Sequence, residues 1–585
     1  MKAKIAQLFG KHYSIPKSKQ INTIVASFSF TERLIFGMFF LGLSISALAL
    51  VGQVNTFFSV AVPVKGGTVT EGVIGSPRFI NPLLALSDAD RDLTQLIYSG
   101  LMKATPEGGL IPDIAESVTI AEDHLSYTFI LRDDVVFHDG RRVTADDVVF
   151  TITRAQDQAL RSPKRANWEG VVAEKISDRV VRILLSQPYA PFLENATLGI
   201  LPKHIWQNAG AEEFQFSQYN IEPIGSGPYK IKKIRRNASG VPDTYSLASF
   251  KDYALGAPYI SNLNISFYTN EQALIEAYQN KKIAHINSIL PEHAVTLIEE
   301  NLNTVGITVP LPRIFGVFFN QNQAPLFADQ SVREALEVSV DREHIVEEVL
   351  KGFGEPLNQP IPPGILALLN GEENGDHAYD PEKAIELLED NGWELNPETG
   401  IREKEKGGEV LRLSFSLSTS NVPELKAVAT ILKEAWDAIG ASVEIKVFDT
   451  SDLNQNVIRP RRYDALLFGE IIGRDLDFFA FWHSSQRNDP GLNIALYANI
   501  TTDKLLEDAR ITFDPEARAR KYQEFNEEIQ NDTPAVFLYV PHFIYLVSPG
   551  TQNISLGHLT IPSERFLNVH EWYTNTEKVW KIFVK

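Results

Sequence analysis

The chain has 585 residues, 44% hydrophobic and 22% charged, with 36 Gly, 32 Pro and no cysteine. A formal net charge of −19 argues against a nucleic-acid partner, since neutralising phosphates needs a basic face. The missing cysteines exclude disulfides, thiolate metal sites, thiol catalysis and lipid attachment through Cys, while 10% aromatics exclude a disordered chain.

Residues 1–33 hold Lys2, Lys4, Lys11, Lys17, Lys19 and Arg33 against Glu32 alone, so they sum to +5 and the remainder to −24. Leu34 to Val64 is then free of charge for 31 residues, and its first part is nearly all apolar. About 20 apolar residues cross a bilayer as a helix, so 34–54 is long enough to span. The basic flank places 1–33 in the cytoplasm and the body outside. A signal peptide cleaved after Ala47-Leu48-Ala49 is the competing reading. The long basic segment and the apolar run beyond Ala49 favour an uncleaved anchor.

Residues 55–66 read as a short linker ending at Gly66-Gly67. Helix-period and strand-period segments then alternate to the C-terminus, which argues an α/β body of roughly three domain equivalents. Asp88-Ala89-Asp90-Arg91-Asp92 imitates the start of a calcium loop, but Leu93 and Ser99 stand where Gly and Glu are needed. It reads instead as a solvated acidic helix start. Tyr127 to Arg132 has strand composition, and Thr144-Ala145-Asp146-Asp147 opens a capped helix. A second helix follows Asp341, with Ile345, Val346, Val349 and Leu350 on one stripe and Gly352 as its stop. A third runs from about Pro381 to Asn391-Gly392. The charged stretch 394–410 reads as a solvated loop.

Catalytic signatures are missing. Gly225-Ser226-Gly227 lacks a third glycine and is followed by Pro228, which blocks a phosphate-binding helix start. No Walker lysine motif, HExxH or G-x-S-x-G occurs, and no two histidines stand at metal-ligand spacing. Neither catalysis nor a cofactor is expected.

Five ordered segments remain. They are Ile111-Pro112-Asp113-Ile114-Ala115-Glu116-Ser117, Tyr127 to Gly140, Thr144 to Val148, Pro223 to Tyr229, and Phe319-Asn320-Gln321 with Val332 to Leu336 and Val340-Asp341-Arg342. Together they resemble the dipeptide/oligopeptide/nickel class (family 5) of extracytoplasmic solute-binding proteins, which serve ABC importers. The resemblance runs from about Gly67 to Trp572-Tyr573.

It implies a two-lobed periplasmic-binding-protein-like fold (type II, large class C) with the ligand in the cleft between lobes. The first lobe would hold 67–312 plus 536–585 and the second 313–535, with crossings near Leu311-Pro312 and Thr533-Pro534. The implied function is capture of a peptide or similar small solute by a monomer, and its delivery to ABC permease subunits. A sensor or extracytoplasmic chaperone on the same fold, or a binder of a nickel chelate, is the alternative.

Cleft positions implied by the resemblance are Ser76, Phe79 and Asn81 in a first-lobe loop, Ser226, Arg313 after the crossing, and Trp482. Ser76 to Asn81 also reads as a plain turn, Ser226 as an ordinary β-turn, and Trp482 as core. The family's G-W-x-x-D segment, whose Asp pairs with a ligand α-amine, corresponds to Gly469 to Gly473, with Glu470 at the aromatic position and Gly473 at the Asp position. Glu470 or Asp475 would have to substitute for the missing carboxylate. Both also read as surface carboxylates.

Overall fold

The computed structural model describes residues 18–300, 304–362, 379–474 and 476–583. They divide into one unit of Met1–Val64 with Asn575–Lys585 and another of Lys65–Thr574.

In the smaller unit, the charge-free run is a single helix, Phe30–Phe58. The Glu32 carboxylate accepts from the Ser29 amide and hydroxyl and so fixes the first turn. At 1.5 Å per residue its 29 residues extend about 43 Å, enough for the hydrocarbon core and one headgroup layer. The expected linker is not one. The helix continues to Phe58, and the β-branched Val60, Val62 and Val64 make Ser59–Val64 a strand. That strand pairs antiparallel with Asn575–Trp580, so the last residues belong to this unit and not to the first lobe.

The larger unit is built on a twelve-stranded sheet. One half runs from Tyr229–Arg236 through Pro242–Ser249, Ile260–Tyr268 and Gly66–Ile74 to His285–Asn287. The other runs from Ser442–Phe448 through Ser414–Ser420 and Ala465–Ile471 to Arg313–Phe319. Both halves share the long strand Ala535–Val547. Its Ala535 to Tyr539 pair with Arg313–Phe319, and His542 to Val547 pair with Val305–Pro310. The change of partner falls at Pro541, inside the strand, rather than at Thr533-Pro534. Two apolar cores of residues 69–311 and 543–572 fill the first half, and two of residues 314–540 fill the second. Two lobes follow from those separate cores.

The expected helices are present. Asp147 accepts from the Thr144 amide and hydroxyl at the start of Ala145–Gln156, and Asp341 caps Arg342–Glu348 through the His344 amide. Pro381–Asp390 is the third. Two readings change.

The stretch 394–410 lies in a small antiparallel sheet of Glu394–Leu395, Arg402–Lys406 and Glu409–Arg412. Arg402 is buried there, donating to the Ile439 and Trp393 carbonyls and to Glu389. Asp88–Ile97 is a helix, but its acids are not all solvated: Asp90 and Asp92 are buried. Asp90 accepts the Arg78 and Phe79 amides, and Asp92 takes both terminal nitrogens of Arg565 at 2.7 and 2.6 Å.

Candidate ligand-binding site

The helix Asp88–Ile97 ends against Gly225-Ser226-Gly227. The Gly227 amide donates to the Ile97 carbonyl at 2.8 Å, and a Cβ on Gly227 would stand 2.6 Å from the Ile97 carbonyl carbon. Glycine is required here for close backbone approach, which fixes how the helix presents Arg91 and Thr94. The next segment, Tyr98 to Ala104, lines a cavity of about 480 Å3.

That cavity takes its walls from both lobes. The first lobe supplies Tyr98, Lys103, Asp113, Lys164, Glu194, Tyr253 and Glu564 among others, and the second supplies Gly473 and Arg474. Arg474 crosses the cleft to donate to Glu564 at 2.7 Å and to the His558 carbonyl at 3.1 Å. A second bridge closes the lobes further along. The Tyr189 hydroxyl donates to Asp477, which is itself held by Arg510, while Ala190 donates its amide to the Arg510 carbonyl. The His124 ring stacks on Phe513 at 3.6 Å. The lobes are therefore shut over the cavity.

Its floor is charged and incompletely partnered. Lys103 is buried and donates to the Tyr253 hydroxyl at 2.6 Å. Burial lowers the affinity of Lys103 for its proton. Asp113 is buried too. Desolvation pushes its carboxyl up to about 6 although Lys103 pulls it down. One Asp113 oxygen, the Tyr98 hydroxyl and the Thr94 hydroxyl have no hydrogen-bond partner. All three residues belong to the cavity lining, so the wall holds polar groups whose hydrogen bonding is not satisfied within the protein. The lining carries cations (Arg91, Lys103, Lys164, Arg474) and carboxylates (Asp113, Glu194, Glu564) in near balance. A net-neutral ligand with separated charges of both signs matches such a lining.

Of the eight residues expected at the site, Asp475 lies outside the described residues, and the other seven do not line the cavity. Ser76 is exposed and Phe79 half-buried, its amide held by Asp90. Asn81 is buried, bridging Asn220 and the Leu83 amide, so it shapes its loop. Ser226 is buried at the helix end just described, one shell behind Ser99. Arg313 is half-buried beside Glu424, which accepts from Tyr539. Trp482 is core, packed on Phe318, Phe525 and Phe537.

Glu470 is not a surface carboxylate, and it does not line this cavity. It is 4% exposed on the central strand of the second lobe, with both oxygens unpartnered. Burial holds its carboxyl well above the usual carboxylate range.

The sequence-stretch 469–474 does reach the cavity, through Gly473 and Arg474. A Cβ on Gly473 would stand 3.6 Å from a Glu194 oxygen, so a first-lobe carboxylate lies where that position faces. Residues missed from sequence are Lys103, Glu194, Tyr253, Arg474 and Glu564. Only Lys103 had a local signal, a lone charge within Leu101-Met102-Lys103-Ala104. Among the described residues, no group of three or more His, Asp or Glu side chains could hold a metal ion.

Comparison with known proteins agrees with this architecture. The sequence profile for bacterial extracellular solute-binding proteins, family 5, matches residues 109–490. The oligopeptide-binding protein AppA of Bacillus subtilis is 29% identical over 522 residues, covering 88% of this chain and 93% of its own. Its structure with a nonapeptide superposes with a TM-score of 0.69 at 28% identity, covering 88% of this chain and all of that one. NikZ of Campylobacter jejuni, solved with Ni(L-His), gives a TM-score of 0.69 at 27% identity, covering 86% of this chain and 99% of its own. A profile match over most of the body, on a two-lobed fold with a cavity between the lobes, means that this chain belongs to family 5 of the bacterial extracellular solute-binding proteins.

Proposed function

We propose that the protein is the extracytoplasmic ligand-binding component of an ABC importer, capturing short peptides between its lobes and presenting them to a membrane permease. The observation that carries this reading is the cavity of about 480 Å3, walled by both lobes and lined by charges of both signs. Its volume is toward the small end of the ~300–1,000 Å3 of typical ligand pockets, which suits a peptide of few residues. Asp113 and Glu194 would receive the ligand's ammonium, and Lys103 or Arg91 its carboxylate. The first lobe is then Lys65 to Leu311 with His542 to Thr574, and the second Arg313 to Val540. The protein acts as a monomer, without chemistry on its ligand and without a cofactor.

In this reading Phe30–Phe58 stays in the mature protein as a membrane anchor, and the body works on the extracytoplasmic side of that membrane. The helix is long and apolar enough to cross, and its buried fraction is nil. N-terminal sequencing of the native protein tests it. A mature start near Val51 would replace the anchor with a cleaved signal.

Mass spectrometry of small molecules released from the purified protein, followed by calorimetry with the peptides found, tests the ligand. Short zwitterionic peptides are expected to bind, and the same peptides blocked at the amine to bind at least about tenfold more weakly. Equal affinity for free and blocked peptides, or a co-purifying nickel chelate, would remove the peptide assignment.

A further inference from the structure

The smaller unit carries an apolar surface that its own strands do not cover. Ser59 lies opposite Trp580 in the antiparallel pair, so the chain beyond Trp580 runs back to the level at which the Phe30–Phe58 helix ends. There the Trp580 ring packs on Phe58 at 6.4 Å, and its indole N–H donates to the Asn55 side chain at 2.6 Å. Lys581 sits over the Phe57 ring at 5.5 Å. The turn Lys581–Phe583 leaves Ile582 75% and Phe583 73% exposed, and Phe57, under Lys581, is 71% exposed.

We propose that this C-terminal turn, Trp580–Phe583, inserts into the interfacial layer of the outer leaflet beside the exit of the anchor helix, as a second lipid contact. The inference rests on the anchor reading above. Large apolar side chains left in water are unfavourable by roughly 25 cal/mol for each Å2 they expose. The helix they adjoin is itself the apolar span, so the patch continues a surface that already faces lipid.

Its composition fits the boundary between headgroups and acyl chains. Trp is amphipathic and concentrates there, and a Lys can lay its stem along apolar surface while its ammonium stays among headgroups. Residues 575–585 hold Lys578, Lys581 and Lys585 against Glu577, a positive balance that anionic lipids attract. A patch for a protein partner would not need that charge beside a bilayer exit.

The absence of cysteine allows a clean test on the full chain. Ile582→Cys, and separately Phe583→Cys, would carry a single environment-sensitive fluorophore on protein reconstituted in phosphatidylcholine/phosphatidylglycerol vesicles. Leu43→Cys, in the middle of the helix, reports on the span. At an interfacial depth of ~5–10 Å, both C-terminal labels should lose about half their emission to lipid spin-labelled near the headgroup, and less to lipid labelled near the acyl terminus. The Leu43 label should show the reverse order. C-terminal labels that emit as in water, with no quenching by either lipid while Leu43 is quenched, would overturn the second contact and leave the anchor standing. An unquenched Leu43 label would overturn both.

Discussion

Arg474 and Glu564 meet across the cleft at 2.7 Å, with side chains only 10% and 16% exposed. One comes from the second lobe and the other from the first, so this pair exists only when the lobes are closed. Its formation adds to the free energy that favours the closed, ligand-holding state. Arg474→Ala leaves Glu564 poorly solvated and removes a bridge, at a cost of about 2–5 kcal/mol for a buried charged pair. Peptide affinity should therefore fall at least about tenfold, chiefly through faster dissociation. Stopped-flow release of a labelled peptide, compared with wild type, measures this.

Asp113 predicts a pH dependence for capture. Its carboxyl is raised to about 6, because burial outweighs the pull of Lys103. A ligand ammonium favours the ionised form, so binding draws the proton off. Affinity should be full above about pH 7 and fall as pH drops through 6, by up to about tenfold per unit. Asp113→Asn should flatten that profile and weaken binding at neutral pH. Calorimetry between pH 5 and pH 8 distinguishes the two proteins.

Glu470 should cost stability and contribute nothing to ligand affinity. A carboxyl whose folded-state pKa is raised takes up protons on folding, so its stability contribution is lost as pH rises above its unfolded value near 4.5. Glu470→Leu removes two unpartnered oxygens from an apolar core, worth about 1–3 kcal/mol. Thermal melts should show a stabilisation that grows from pH 5 to pH 8. Peptide affinity should be unchanged, and a loss of affinity would return Glu470 to the binding site.

Arg565 should be among the most sensitive positions in the first lobe. It donates to Glu71 at 2.7 Å and to both oxygens of Asp92, all three side chains being buried, and Tyr545 donates to the other Glu71 oxygen. Burial alone would raise the Glu71 carboxyl, but Arg565 with His285 and Tyr545 holds it at about 2. Arg565→Met strands two carboxylates, costing about 3–5 kcal/mol at neutral pH. The stability gained from the depressed Glu71 is present above about 4.5 and lost as pH falls toward 2, so the gap to wild type should narrow in acid. Chemical denaturation at pH 7 and pH 4 checks both the size and the narrowing.

Local signals carried the reading of the fold a long way. The apolar span, the Thr144 and Asp341 helix starts and the strand at Tyr127 depend on neighbours within a few residues, and each formed. Pairings distant in sequence were not legible. Asp92 looks solvated until Arg565 arrives from 473 residues away, and Arg474 gives no hint that it meets Glu564. The polar run 394–410 misled because its buried member, Arg402, is satisfied by carbonyls that no composition reveals. The binding site suffered most. Resemblance pointed to the segment 469–475, of which Gly473 reaches the cavity just past the end of the strand Ala465–Ile471, whereas Glu470 is still inside that strand and buried.

The pairing of Ser59–Val64 with Asn575–Trp580 has a consequence for the order in which the protein is made. As synthesis runs from the N-terminus, Ser59–Val64 waits for Asn575–Trp580, with some 500 residues between them. Throughout that interval it presents an open edge, rich in valine and able to accept any passing strand. The pair can close only once Asn575–Trp580 has been made. A product cut short before Asn575 would keep that edge bare, ready to pair with a strand of another chain.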